Sequence, residues 1–296
     1  MLQLTHTALD MFMLCPRKFE HRYVNQIVPA HWTGSPAMRF GTAMHRWLEA
    51  WHQGRPTAFT PEDEVEAAKY RAATAAYQRQ YPSDTWTVID AEATFTAPIT
   101  FGNQTLKDIE YAGARDLLVA IEGEGKWLVE HKTSATLTPS SLERVALDAQ
   151  TLRYILYGSI SRGERIEGVI YNVIKSCALR LKAKEELADY ENRVAAWYAD
   201  PANGAFMRER RRVTDEMLEA AERNVWSVAK MILACHKDAY YPQNGGILSG
   251  ACMKWQRECE YAAICKAGKS REESVIATDY RNEAPNKELQ DGPEME

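Results

Sequence analysis

A mixed α/β fold, with a central mixed sheet flanked by helices on both faces, is what this sequence predicts. Three observations carry that prediction. Residues 5–80 repeat their apolar side chains at helical spacing. From Val88 the period changes to strand-like alternation, sustained to Thr133. A helical segment, a β-branched strand and two more helical segments then follow, and that order places helices on both sides of one sheet.

The elements read as follows. Residues 5–24 are helical, with Thr5 as cap and Leu9, Phe12 and Met13 as an apolar stripe; Cys15-Pro16 interrupts the run, because proline starts a helical turn more readily than it continues one. Gly41 precedes a strongly periodic segment containing Met44, Trp47, Leu48 and Trp51, with His45 set among them. Residues 62–80 are Ala-rich and helical. Residues 88–101, 109–121 and 126–133 form three antiparallel strands separated by turn-like Gly-Asn and Glu-Gly-Glu-Gly segments. A helix over about 140–160, a strand over 167–174 and helices over about 179–199 and 214–238 complete the core. The expected organisation is one domain over 1–268, with a helical insertion over about 42–85 and a disordered acidic tail over 269–296.

Composition narrows the class. Apolar residues make up 45% and charged residues 26%, which is ordinary for a soluble globular protein. No apolar run reaches the roughly 18 residues of a spanning helix, and no secretory leader opens the chain, so no membrane contact and a cytoplasmic location are expected. The net charge of −5 resides entirely in residues 271–296. Local basic strips therefore remain compatible with a polyanionic partner. The six cysteines suit metal ligation or burial better than disulfides in a cytoplasmic chain.

The chemistry concentrates in two consecutive strands, Gly113-Ala114-Arg115-Asp116-Leu117-Leu118-Val119 and Trp127-Leu128-Val129-Glu130-His131-Lys132-Thr133. Alternation puts Leu128, Glu130 and Lys132 on one face, with Asp116 arriving from the preceding strand. Two carboxylates converging beside an ammonium make a site for a hard divalent cation and the water it activates. Upstream stands Gly41-x-x-x-His45, and downstream Gln150 and Tyr154 sit four apart on one helix face. Glu92 is equally accounted for as a solvated strand position.

Taken together, G-x-x-x-H, then G-x-x-D, then E-x-K, then Q-x-x-x-Y resembles the RecB-like branch of the PD-(D/E)XK nuclease superfamily, and the resemblance covers most of residues 5–265. It implies a restriction-endonuclease-like core. It also implies that Mg²⁺ or Mn²⁺ is held by His45, Asp116, Glu130 and the backbone carbonyl of His131, with Lys132 positioning the attacking water. Gln150 and Tyr154 would contact DNA and brace the site, and many relatives carry a glutamate where Glu92 falls.

Cys15, followed by proline, together with Cys252, Cys259 and Cys265, resembles the iron–sulfur subgroup of that branch, which includes the AddB nuclease domain and the CRISPR-adaptation exonuclease. The resemblance implies a [4Fe–4S] cluster joining segments 12–18 and 250–266, with zinc as the competing ion. Here Cys252 and Cys259 are separated by six residues, where that family usually has two. Cys177 and Cys235 read as structural.

Two basic runs, Lys175, Arg180, Lys182, Lys184 and Arg208, Arg210, Arg211, Arg212, are candidates for phosphate contacts, although a solvated charged face is the commoner role of such runs. The expected activity is a metal-dependent DNA exonuclease on single-stranded ends, with 5′→3′ polarity, in recombination, end processing or CRISPR-type adaptation and with partners from those systems. The rivals are a non-catalytic DNA-binding subunit, which the intact Asp116, Glu130 and Lys132 disfavour, and a structure-selective endonuclease.

Overall fold

The computed structural model describes residues 1–31, 35–56, 61–136, 138, 142, 143, 148–246, 250–254, 257–286 and 289. In chain order the regular elements are β1 (Leu2–Leu4), α1 (His6–Leu14), α2 (Pro16–Phe19), β2 (Ile27–Pro29), α3 (Pro36–His52), α4 (Glu64–Gln80), β3 (Thr87–Phe101), β4 (Gln104–Ile121) and β5 (Gly125–Ser134). They continue as α5 (Ala149–Arg162), β6 (Ile166–Lys175), α6 (Leu187–Ala199), β7 (Phe206–Arg212), α7 (Asp215–Lys237), β8 (Met253–Lys254), β9 (Arg257–Glu258), α8 (Ala262–Ala267), α9 (Glu272–Asp279) and β10 (Tyr280–Asn282). They divide into two compact units, one drawn from residues 1–33, 96–113 and 219–296, the other from 34–95 and 114–218.

The second unit holds the sheet face that matters for chemistry. β4 pairs antiparallel with β5, with Leu117 opposite Val129. β5 pairs parallel with β6, with Glu130 opposite Tyr171 and His131 opposite Asn172. Parallel neighbours need a crossover, and α5 supplies it, capped by the Asp148 carboxylate at its start and closed by left-handed Gly163 at its end. β7 then pairs antiparallel with β6. β6 is buried along nearly its whole length, as befits a strand covered on both faces.

Alternation along β6 separates the two faces. Val169, Tyr171 and Val173 pack with Leu118, Leu128 and Ile155 of α5. Ile174, on the opposite face, joins Met44, Trp47 and Leu48 of α3, Tyr77 of α4 and Tyr190 and Val194 of α6. α3 begins earlier than expected, at Pro36, where the Ser35 side chain accepts from the Met38 N–H. Gly41 is therefore inside the helix, a position that costs about 1 kcal/mol relative to alanine. Its use is proximity: a Cβ there would lie 2.9 Å from Thr133 Oγ1, so only glycine lets α3 lie this close to β5.

In the first unit β1 runs parallel to the Ile109–Tyr111 stretch of β4. α1, α2 and a π-helical turn over Glu20–Val24 replace the interrupted helix predicted for 5–24. β2 pairs antiparallel with β10, Ile27 opposite Asn282. Ion pairs Arg17–Glu272, Lys18–Glu260 and Arg22–Glu283 add to that closure. The β2–β10 pairing corrects the expectation of a disordered tail from residue 269: residues 272–282 form α9 and β10, and Glu272 and Glu283 pair with Arg17 and Arg22. Residues 291–296 lie outside the described residues, as do 139–141 and 144–147 of the helix predicted over 140–160, which begins at Ala149.

Gly168 sits where β6 passes β7 and Trp127. A Cβ there would lie 2.2 Å from the Arg211 carbonyl oxygen and 2.7 Å from Trp127 Cζ3. The carbonyl belongs to the paired backbone and cannot move aside. Gly168→Ala should therefore cost about 3 kcal/mol and lower the thermal midpoint by roughly 6–12 °C, read by circular dichroism. An unchanged midpoint would show that the strands accommodate the methyl.

Candidate active site and cysteine cavity

Five elements deliver the candidate side chains to one place in the second unit. β4 carries Asp116, β5 carries Glu130, His131 and Lys132, α3 carries His45, β3 carries Glu92, and α5 carries Gln150 and Tyr154; β6, behind them, carries Asn172. The antiparallel register brings Asp116 beside the E-x-K segment, where its Oδ2 accepts the His131 backbone N–H at 2.7 Å. His45 Nδ1 lies 3.4 Å from Asp116 Oδ1 and 3.8 Å from Glu92 Oε1. Among the described residues, His45, Glu92 and Asp116 form the one group of three whose ligand atoms all lie within 4.8 Å of one another.

Glu92 is the residue that the sequence underrated. It holds a left-handed backbone, φ 47°, a conformation that favours glycine and costs a glutamate on the order of 1 kcal/mol or more. In an ordinary exposed strand position nothing would retain that strain. The kink aims the carboxylate at His45, and no sequence period announces a kink.

Glu130 is 1% exposed. Its Oε1 accepts from Lys132 Nζ at 2.6 Å, while Oε2 is buried without a partner among the described residues. Lys132 Nζ also donates to Gln150 Oε1 at 2.6 Å, and the Gln150 N–H is in turn capped by Asp148 at 2.8 Å. Gln150 therefore fixes the ammonium that E-x-K supplies. Tyr154, one turn on, packs edge-on against Phe95 with ring centroids 5.8 Å apart.

The electrostatics follow from crowding. Burial pushes the Glu130 carboxyl up, and the Asp116 charge beside it pushes further, to about 8, despite Lys132. Burial would raise Asp116 too, but His45, then His131 and Lys132, override it and hold that carboxyl at about 2. Burial opposes the charged form of His45, yet Asp116 and Glu92 lift it well above the ordinary imidazole range. Lys132 is raised in the same way, by Glu130 and Asp116 against burial. Burial drives the His131 ring down to about 3, so that ring is neutral. The corner thus holds its carboxylates by surrounding them with protons and cations, and the unpartnered Glu130 Oε2 is a donor set short of an acceptor. Oxygen-rich with one imidazole, this set fits Mg²⁺ or Mn²⁺.

The basic run on β7 is not brought to this group. Arg208 turns inward, donating to Asn172 Oδ1 and Tyr77 Oη and pairing with Asp84. Its guanidinium lies 3.6 Å from the Tyr81 ring centroid, which corrects the expectation that it contacts phosphate. Arg210 and Arg212 stack over Trp127 and pair with Glu124, while Arg211 pairs with Glu209. Lys175 donates to the Asn203 carbonyl at 2.9 Å. Arg180, Lys182 and Lys184 are exposed.

The cysteines belong to the first unit, with one exception: Cys177 lies in the second, buried, its N–H on Tyr198 Oη. Cys15, Cys252, Cys259 and Cys265 line one cavity of about 150 Å³, together with His21 and Tyr261. Cys235, on α7, is not on that wall. The six-residue spacing that departs from the usual pattern is explained by a hairpin. β8 pairs with β9, Met253 opposite Glu258, so Cys252 and Cys259 flank its base, and the Cys259 N–H donates to the Cys252 carbonyl at 2.8 Å. His21 is fully buried, with Nε2 unpartnered among the described residues. No three of the thiols come within 4.8 Å of one another.

Residues 3–266 match the family profile of the PD-(D/E)XK nuclease superfamily, and the chain belongs to that superfamily. Among solved structures it is similar to a candidate exonuclease from Eubacterium rectale, at 13% identity and a TM-score of 0.52, over 90% of this chain and 88% of that one. It also matches an alkaline exonuclease from Laribacter hongkongensis at 11% identity and a TM-score of 0.33, over 80% of this chain and 91% of the other, a likeness too loose to argue from. No curated protein matches the chain. No helix among the described residues is long and apolar enough to cross a membrane.

If these groups bind a divalent cation, they must give up protons to do so. Glu130 keeps its proton up to about pH 8 and His45 keeps its own well above the usual range. Affinity for Mn²⁺ should therefore rise with pH, by about tenfold per unit for each proton displaced, and level off once both Glu130 and His45 have lost their protons. Titration calorimetry in two buffers of different ionisation enthalpy counts those protons. Zero release would remove both groups from the ligand set.

Proposed function

We propose that this member of the PD-(D/E)XK nuclease superfamily is a divalent-metal-dependent DNA exonuclease acting on single-stranded ends, with 5′→3′ polarity. The observation that carries the proposal is the convergence of His45, Glu92 and Asp116 within 4.8 Å, beside a buried Glu130 with one oxygen unpartnered. The preference for ends and the polarity rest on the motif resemblance alone, as do roles in recombination, end processing or CRISPR-type adaptation.

In this reading His45, Glu92, Asp116, Glu130 and the His131 carbonyl would hold the ion. When bound, it supplies polarisation of the scissile phosphate and acidification of a water. Lys132, held between Glu130 and Gln150, orients that water and offsets the charge growing on the phosphate oxygens. Asp116 keeps its negative charge throughout, because His45 and the His131 N–H stabilise it. Gln150 accepts a second hydrogen bond from the same ammonium and so fixes its direction. Tyr154 closes the side of the site next to Phe95.

A second element of the proposal, a [4Fe–4S] cluster on Cys15, Cys252, Cys259 and Cys265, rests on the motif resemblance; the four cysteines line one cavity. Four thiolates about a single zinc stand about 3.8 Å apart, given a Zn–S bond of about 2.3 Å and tetrahedral angles. A cubane, gripped by its corner irons, spreads its thiolates more widely.

Two measurements test these readings. Single-stranded DNA labelled at its 5′ or 3′ end should be degraded with Mn²⁺ or Mg²⁺, and circular single strands should survive. Lys132→Ala should lower kcat by at least about 100-fold while leaving DNA affinity intact. Undegraded DNA with folded wild-type protein would sink the exonuclease reading. For the cluster, Cys15→Ala should abolish iron and sulfide content and visible absorption and lower the melting temperature. A colourless, iron-free wild type would end that part of the proposal.

A further inference from the structure

Behind the E-x-K strand, on the face away from Glu130 and Lys132, lies a hydrogen-bonded polar relay beside an apolar core. The His131 ring is 2% exposed and Asn172 is 1% exposed. Asn172 Nδ2 meets His131 Nδ1 at 2.8 Å and Tyr77 Oη at 2.9 Å. Asn172 Oδ1 accepts from Arg208 Nε at 3.1 Å, and Arg208 Nη2 donates to Tyr77 Oη at 2.8 Å. The guanidinium is held between the Tyr81 ring, at 3.6 Å, and the Trp86 ring, at 4.8 Å, and is neutralised by Asp84. His52, at the end of α3, stacks on the His131 ring, 5.6 Å away and 4° from parallel.

The relay has a direction. An arginine can only donate, so the Asn172 oxygen must face it, and the amide nitrogen must face His131. The amide nitrogen can only donate as well, so His131 Nδ1 must accept, and its proton is on Nε2. The bonds that join Arg208, Asn172 and His131 are thereby assigned from Arg208 outward. A burial this complete of polar groups is expensive unless they hold something in place.

What they hold is the His131 peptide. Its N–H donates to Asp116 Oδ2 at 2.7 Å, and its carbonyl, on the proposed metal reading, is a ligand. Both groups belong to the one residue whose side chain the relay grips. We infer that Asn172 and Arg208 are positioning residues, which set the His131 main chain from behind the sheet and so tune the metal affinity of the site. Arg208, offered by its sequence neighbourhood as a phosphate contact, acts on the ion's ligands instead. The inference rests on the metal reading of the Asp116–Glu130 site.

The test compares wild type, Asn172→Asp and Arg208→Gln in the full-length chain. Asn172→Asp keeps the volume and can still accept from Arg208, but it offers His131 Nδ1 no donor. Three quantities are read: Mn²⁺ affinity by calorimetry without DNA, single-stranded DNA affinity in chelator, and kcat and KM for DNA at saturating metal. Melting temperature reports folding. In both variants Mn²⁺ affinity should fall about ten- to a hundredfold, with kcat reduced, and with DNA affinity and KM within twofold of wild type. Folded variants with unchanged Mn²⁺ affinity and kcat would overturn the inference. So would an Arg208→Gln protein that loses DNA affinity but keeps its metal, because Arg208 would then be a phosphate contact. If Arg208→Gln unfolds, the isosteric Asn172→Asp decides alone. A wild type that binds no Mn²⁺ would fail the metal reading itself, a result distinct from any difference among the variants.

Discussion

Mutual repulsion among crowded carboxylates is the constraint on which the second unit depends. Asp116 and Glu130 come from adjacent strands to one corner, Glu130 fully buried and Asp116 nearly so, and the half-buried Glu92 joins from a third. Like charges at such separations cannot all persist without compensation. The chain answers asymmetrically. Asp116 stays ionised because His45 and the His131 N–H face it, whereas Glu130 is pushed towards neutrality. Lys132 is tied to both Glu130 and Gln150, which fixes its ammonium between a carboxylate and an amide oxygen. The outcome is an arrangement of charge that a divalent cation would complete, displacing the proton that Glu130 otherwise keeps.

Meeting that constraint requires close approach of main chains more than any particular side chain. Gly41 gives up helix stability so that α3 can lie against Thr133, and His45, one turn on, then reaches Asp116. Gly168 does the same between β6 and β7. The parallel β5–β6 pair forces the α5 crossover, and the start of α5 is where Gln150 must be to reach Lys132. The motif order G-x-x-x-H, D, E-x-K, Q-x-x-x-Y is thus a record of topology. Each residue lies where an element first or last meets the same corner of the sheet.

That is why so much of the site was legible in sequence, and why certain parts were not. Asp116, Glu130 and Lys132 follow from strand alternation alone, and the β-branched run Val169–Ile174 marks the buried strand. Asn172 carried a readable signal, an amide in the middle of that run, which belongs in a core only if partnered. Glu92 carried none, because its role depends on a backbone kink that no periodicity encodes. β1, β2 and β10 span three residues each, too few to establish a period, so the closure by β10 was missed and its segment read as a tail. The spacing between Cys252 and Cys259 looked anomalous only because hairpin pairing of β8 and β9 is not visible in a count of residues.

The arginine run on β7 shows how composition misleads when geometry is ignored. Four arginines in five residues suggest a cationic surface, but a strand sends alternate side chains to opposite faces, and here each guanidinium already has a carboxylate. Arg210 and Arg212 cover the Trp127 ring along an exposed strand edge, where charge also discourages pairing with another chain. Arg208 is drawn inward by Asp84, Tyr77 and Asn172. Under the proposed function, affinity for a polyanion then has to come from elsewhere: from the cation site itself, and from exposed groups such as Arg180, Lys182 and Lys184 that are not spent on partners of this kind. A site built this way takes hold of a strand chiefly where the chemistry occurs. Little of its grip comes from the flanking sheet, and so, under that function, the bound cation bears on binding as well as on cleavage.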